Sequence, residues 1–341
     1  MQFAMVSVGP PIWPGLAMPM RGVISMNESR KPEKPWMIAV WPGMGHVASG
    51  AGYYLMAKLG MLQIAEFSGE GLFDVEAALV KDGLILKPNR PRNRVFAWKA
   101  PEGSRDVLVF IGEAQPSSGK YAFCERLIEF AAEHDVERVF TFAAMATEMQ
   151  PGQDARVFAA ATEQSLLDEI EDQDVHLLTE GHVSGLNGIL LAAAAEKGMP
   201  AICLLGEMPH LFAQMPYPKS SLAVLRVFAK VAQIDLDFAE LAGHAETTEH
   251  QLVELLEKVR RRLQHGDSEQ PSDEESMLPG EQWRGESALS EDDEQRIESL
   301  FLAAENDRSR AYELKNELDR LGVFNDYEDR FLDLFKHRDS D

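Results

Sequence analysis

Along the first 265 residues, short unbroken apolar runs alternate with longer segments of helical periodicity, the pattern of buried strands separated by helices. The run Trp36-Met37-Ile38-Ala39-Val40-Trp41 passes straight into Pro42-Gly43-Met44-Gly45. Proline cannot donate to a sheet ladder and glycine tolerates left-handed backbone, so a buried strand ends near Trp41 and turns into a helix. That helix, 47–59, carries almost no charge and is expected to be buried on most of its surface. Further strands are predicted at 106–112, 138–142, 156–160, 175–178 and 200–206, with helices at 121–133, 163–171, 189–197, 220–232 and 238–263. Segments 84–86 and 94–98 flank a basic turn and read as a hairpin or sheet edge, and 67–74 reads as a glycine-interrupted loop. Strand, loop and helix units repeated at this length predict an α/β fold with a mainly parallel sheet covered on both faces.

The pattern changes at both ends. Residues 1–35 are interrupted by prolines and glycines and lack the basic-then-apolar order of a secretory signal, so they form an irregular segment before the 36–265 domain. Met26 opens a polar stretch and is a candidate start of translation. Residues 266–290 are rich in Ser, Glu, Asp and Pro, with too little apolar material to repay ordering, and are expected to be a disordered linker. Helical periodicity resumes at 291–306, 308–321 and 327–336, where aromatic and leucine residues supply a small helical extension or docking arm within 291–341.

The net charge is -23, and from residue 267 onward about 23 acidic residues face about 9 basic ones. So negative a chain, without an evident basic patch, is expected to bind neither nucleic acid nor an anionic membrane surface. No run approaches the ~20 apolar residues of a membrane-spanning helix. Cys124 and Cys203 fall in a predicted helix and a buried strand, which reads as reduced packing residues of a cytoplasmic protein.

Candidate chemistry collects in the turns. Pro42-Gly43-Met44-Gly45 lacks the full dinucleotide fingerprint, and Ser117-Ser118-Gly119-Lys120 lacks the glycine spacing of a phosphate loop. Gly181 to Gly188 sets His182, Ser184 and Asn187 ahead of a helix, where amides and an amide side chain suit an anion, but Ser184 is not in a nucleophile elbow. Glu70, Asp74, Glu113, Glu207 and His210 lie in loops that share one rim, without metal-ligand spacing. The candidate ligand rim is therefore Gly43, Gly45, Glu113, Ser184, Asn187 and Glu207, with no cofactor and no metal expected.

Taken together, Trp41-Pro42-Gly43-Met44-Gly45-His46-Val47-Ala48, Phe110-Ile111-Gly112-Glu113-Ala114-Gln115-Pro116, Val183-Ser184-Gly185-Leu186-Asn187-Gly188 and Cys203-Leu204-Leu205-Gly206-Glu207-Met208-Pro209 resemble the proteasome assembly chaperone 2 family, from about residue 36 to 263. The resemblance implies a three-layer α/β/α domain of the phosphorylase and nucleoside-hydrolase type, assembled as homo- or hetero-oligomers. It implies protein partners, among them proteasome subunits. The sequence ends Lys336-His337-Arg338-Asp339-Ser340-Asp341, without the hydrophobic-Tyr-x tail common in members that dock on the proteasome α-ring, so docking by that route is not expected. The reading is a non-catalytic chaperone-like or scaffold protein. A hydrolase or phosphorylase acting on a small molecule at the rim is the alternative, and a partner-binding arm is a third.

Overall fold

The computed structural model describes residues 20–21, 32–67, 73, 80–81, 83–85, 90–101, 104–265 and 289–336. Residues 266–288 of the expected disordered linker and the candidate start at Met26 lie outside these residues, while Ser290, at the linker's end, caps the helix that begins at Glu291. Described strands are β1 (Met20–Arg21), β2 (Trp36–Val40), β3 (Leu62–Phe67), β4 (Val80–Lys81), β5 (Leu84–Ile85), β6 (Asn93–Trp98), β7 (Val107–Gly112), β8 (Arg138–Thr147), β9 (Val157–Ala161), β10 (Val175–Leu177) and β11 (Ala201–Pro209). The main sheet runs β1-β3-β6-β7-β2-β8-β11-β9-β10. Its centre, β7, β2, β8 and β11, is parallel, and it is these strands that the unbroken apolar runs encode. Antiparallel pairs flank it, through β3, β6 and β7 on one side and between β11 and β9 on the other, with β10 parallel to β9 beyond, so the sheet as a whole is mixed.

Helices cover both faces. On one, α2 (Lys120–Glu133) and α4 (Gly185–Glu196) pack Phe123, Leu127, Leu190 and Ala193 against Met37, Ala39 and Phe110. On the other, α1 (Val47–Lys58), α5 (Pro218–Val231) and α6 (Ala239–His265) join Ile38, Val40, Val109 and Phe140 in one core. The short α3 (Gln164–Asp168) lies before β10.

Two expectations are corrected. Strand β6 does not form a hairpin with 84–86: its neighbours are β3 and β7, while β5 pairs with β4 in a separate two-stranded ribbon. Strand β3 lies between the expected helix 47–59 and the expected loop 67–74, where no strand is expected because Gln63 and Glu66 break its apolar run.

The carboxyl-terminal helices α7 (Glu291–Asn306), α8 (Ala311–Arg320) and α9 (Phe324–Asp333) are not a loose appendage. Leu314, Leu318, Phe331 and Phe335 are fully buried in the same core as α1. Tyr54 meets Tyr312 edge-on at 4.5 Å, Tyr53 meets Phe324 at 5.2 Å, and the Gln63 amide of β3 donates to the Phe335 carbonyl at 2.8 Å. Helix α1 lies between sheet and arm, which is why it carries so little charge.

Candidate functional site

The turn after β2 is held from several sides. Gly45 sits at φ +61°, its amide donates to the Ala213 carbonyl at 3.0 Å, and its own carbonyl accepts from the Tyr217 amide at 2.8 Å. A Cβ on Gly45 would lie 2.6 Å from the Met208 sulfur, so glycine is needed both for the backbone angle and for the approach of β11. Gly43, by contrast, is extended and has open space around it.

Gln115 joins this turn to the 183–188 turn. Its amide nitrogen donates to the Pro42 carbonyl at 3.1 Å, and its carbonyl oxygen accepts from the Leu186 amide at 3.3 Å. Ser184 caps α4 only by its backbone, is exposed, and makes no side-chain capping bond. The Asn187 oxygen is buried without a hydrogen-bond partner among the described residues.

Glu207 is engaged elsewhere. It is buried on β11 and accepts from Arg156 Nε at 2.7 Å and Nη2 at 2.5 Å, and from the Thr147 hydroxyl at 2.7 Å. Its hydrogen bonds from Arg156 hold the carboxyl below the usual range, the state of a structural anchor rather than a proton donor.

Glu113 lies at the end of β7, its carboxylate accepting from the Arg92 amide at 2.8 Å. It faces a cavity of about 230 Å³ formed by the β2 turn, the 214–216 loop and the arm. From the body come Pro42, His46, Tyr53 and Glu113; from the arm come Lys315, Phe324 and Glu328. The cavity sits at the carboxyl ends of parallel strands, the edge where open α/β sheets bind ligands.

Burial pushes Glu113 up to about 7, and it pushes Glu328 upward too against the lowering effect of the bond it accepts from the Tyr53 hydroxyl. Beneath them, Arg94 is fully buried on β6, hydrogen-bonded to Asp329 and 3.3 Å from Glu113. Arg92 reaches Glu66 at 2.5 Å and Asp329 at 2.8 Å.

Of the six rim residues, the cavity takes Glu113 alone into its lining; Pro42 and His46, on either side of Gly43 and Gly45, line it from the β2 turn. Ser184 and Asn187 connect to it only through Gln115, and Glu207 is committed to Arg156. Sequence reasoning missed Tyr53, Arg94, Lys315 and Glu328. An arginine inside the apolar strand 93–98 was the one signal that pointed to a buried charge needing a distant partner. Neither cysteine lines the cavity, and both thiols are buried and pushed up to about 12. Among the described residues no group of three His, Cys, Asp or Glu is placed to hold a metal, and no helix is long and apolar enough to cross a membrane.

Comparison with known proteins follows the body of the chain. The model of the PAC2 family matches residues 37–256. An uncharacterized protein of Methanocaldococcus jannaschii is 25% identical over 249 residues, 72% of this chain and 92% of its own. The solved structure of Pyrococcus furiosus PbaB, an archaeal proteasome activator, is similar at a TM-score of 0.59 and 22% identity, covering 70% of this chain and 98% of that one. That of the Mycobacterium tuberculosis proteasome-assembly chaperone homologue Rv2125 has a TM-score of 0.56 and 23% identity, over 64% and 94%. At these identities the solved structures show the fold.

Proposed function

Since the chain belongs to the PAC2 family, we propose that it is a cytoplasmic, non-catalytic, oligomeric chaperone-like protein whose α/β body holds other protein subunits. The observation that carries this reading is the family match over residues 37–256, together with a fold shared with an archaeal proteasome activator and a proteasome-assembly chaperone homologue. Partners are further copies of the chain and proteasome or other protein subunits. The separation of the rim residues supports the non-catalytic part, since a hydrolase needs nucleophile, base and oxyanion donors around one point. The alternative enzyme reading keeps one observation in its favour, Glu113 on the cavity wall with a carboxyl pushed up to about 7, a value suited to general acid and base work.

The test is an affinity pull-down of tagged protein from its own cells, read by mass spectrometry, with a mass determination of the intact complex. Stoichiometric recovery of proteasome subunits or another fixed protein is the expected result. Recovery of a monomer without any fixed partner would overturn the proposal.

A further inference from the structure

The apolar stripe that seats α6 on the body does not stop where the body stops. Leu252 is buried, Leu255 and Leu256 are half-buried against the core, and Val259, the next position of the same stripe, is 47% exposed. The sequence keeps this spacing to Leu263, two residues before the helix ends. A lone exposed valine needs no explanation, but a stripe carried past its packing partner does.

The charge of this end is the reverse of the chain's. Residues 257–265 hold Lys258, Arg260, Arg261 and Arg262 against one acid, Glu257, which bonds Arg261 at 3.0 Å. Lys258 and Arg260 are exposed and flank the stripe on its two sides. Cations in a last turn suit the helix dipole, but the dipole gives no reason for an apolar stripe between them. A basic amphipathic helix end of this kind fits an acidic helix with an apolar centre.

Helix α7 has such a face. Glu291, Glu294, Glu298, Leu302 and Glu305 recur at spacings of three and four, all exposed, with Leu302 at 61%. Arg330 bonds Glu298 at 2.7 Å and offsets one of the four acids. Val259 and Leu302 are both exposed, so the two faces do not cover each other within one chain. Both lie beyond residue 256, where the match to the family model ends.

We propose that the basic end of α6 in one copy docks along the glutamate and leucine stripe of α7 in a second copy, with Val259 against Leu302 and Lys258 and Arg260 toward the glutamates. Each copy carries both faces, so a two-fold pair makes the contact twice. A helix end of about 13 Å gives a contact smaller than a stable interface, so the association is weak and sensitive to salt. The proposal rests on the oligomeric part of the reading above and names a surface for it.

The test is sedimentation velocity of the full-length protein over a concentration series. Native association should weaken between about 50 mM and about 500 mM salt. Lys258→Glu with Arg260→Glu, and separately Glu291→Lys with Glu294→Lys, should each weaken it by about tenfold or more. An equimolar mixture of the two variants should recover association to within about threefold, because the reversed faces complement each other, a result that misfolding of either variant does not produce. Undiminished self-association in either variant, or a mixture that recovers nothing, would overturn this surface and leave the oligomeric reading standing. If native copies stay monomeric up to about 100 μM, both fail, and loss of an acidic partner protein from a pull-down of the Lys258→Glu, Arg260→Glu variant would assign the surface to that partner instead.

Discussion

Arg94, fully buried on β6, is hydrogen-bonded to Asp329 on α9, 235 residues further along the chain. A guanidinium that no water reaches must be compensated, and its main counter-charge is supplied by the arm. Body and arm are therefore coupled electrostatically as well as by their shared apolar core.

Asp329→Ala leaves Arg94 with Glu113 and Glu328 as its carboxyl neighbours. Breaking a buried pair on one side costs about 3–5 kcal/mol; Asp329 is partly exposed, so about 3 kcal/mol is expected, read as a lower urea midpoint. Adding Arg94→Met should restore the part of the loss that comes from the buried guanidinium, while the Arg92–Asp329 bond stays broken. A single variant as stable as the parent would mean that the pair does not hold the arm.

Glu113 makes stability depend on pH in a defined direction. Its folded value is raised to about 7, so between the ordinary carboxylate value of 4.5 and 7 the folded state keeps a proton that the unfolded chain has released. Stability from this group is complete below the lower value and is lost as pH rises to the upper one, by about 3 kcal/mol at most. Glu113→Gln should thus be neutral at pH 5 and stabilising at pH 8 in thermal unfolding. Equal destabilisation at both pH values would show that Glu113 is ionised and paired.

Glu207 has the opposite sign. Arg156 holds its carboxyl below the usual range, so its contribution is present above the unfolded value and disappears as pH falls through the lowered one. Arg156→Ala leaves the buried carboxylate with the Thr147 hydroxyl alone among side chains, and the denaturation midpoint is expected to fall. Denaturation curves at pH 7 and pH 3 should show the difference shrinking in acid; a constant gap would assign it to packing instead.

Gly45→Ala combines a left-handed backbone with a Cβ 2.6 Å from the Met208 sulfur. The backbone term is about 1–2 kcal/mol and the forced shift of Met208 adds about 1 kcal/mol. Gly43→Ala, with open space and extended backbone, is the control and should be near neutral in the same chemical unfolding experiment. Similar midpoints for the two variants would contradict this account of the turn.

The parallel centre of the sheet was legible because each of its strands is an unbroken apolar run, a pattern that depends only on burial from both faces. The flanks were not. Strand β3 carries Gln63 and Glu66, and β6 carries Asn93 and Arg94, polar residues that make sense only beside Arg92, Glu113 and Asp329 from other elements. The hairpin expected at 84–98 followed local turn chemistry, whereas β6 is placed by the two long strands beside it.

The same division holds for the site. The order of residues by itself determined that glycine turns end the central strands, that Glu113 stands at one of those ends, that α1 is buried nearly all round, and that the chain has the motifs of its family. Tertiary structure decided that Glu207 is an anchor, that Ser184 and Asn187 stand apart, and that Tyr53, Lys315 and Glu328 share a cavity with Glu113. The reason is range: turn and strand preferences act between neighbours in sequence. The compensation of a buried charge is a demand that any suitable residue can meet, and only closure of the arm over α1 selects which one does.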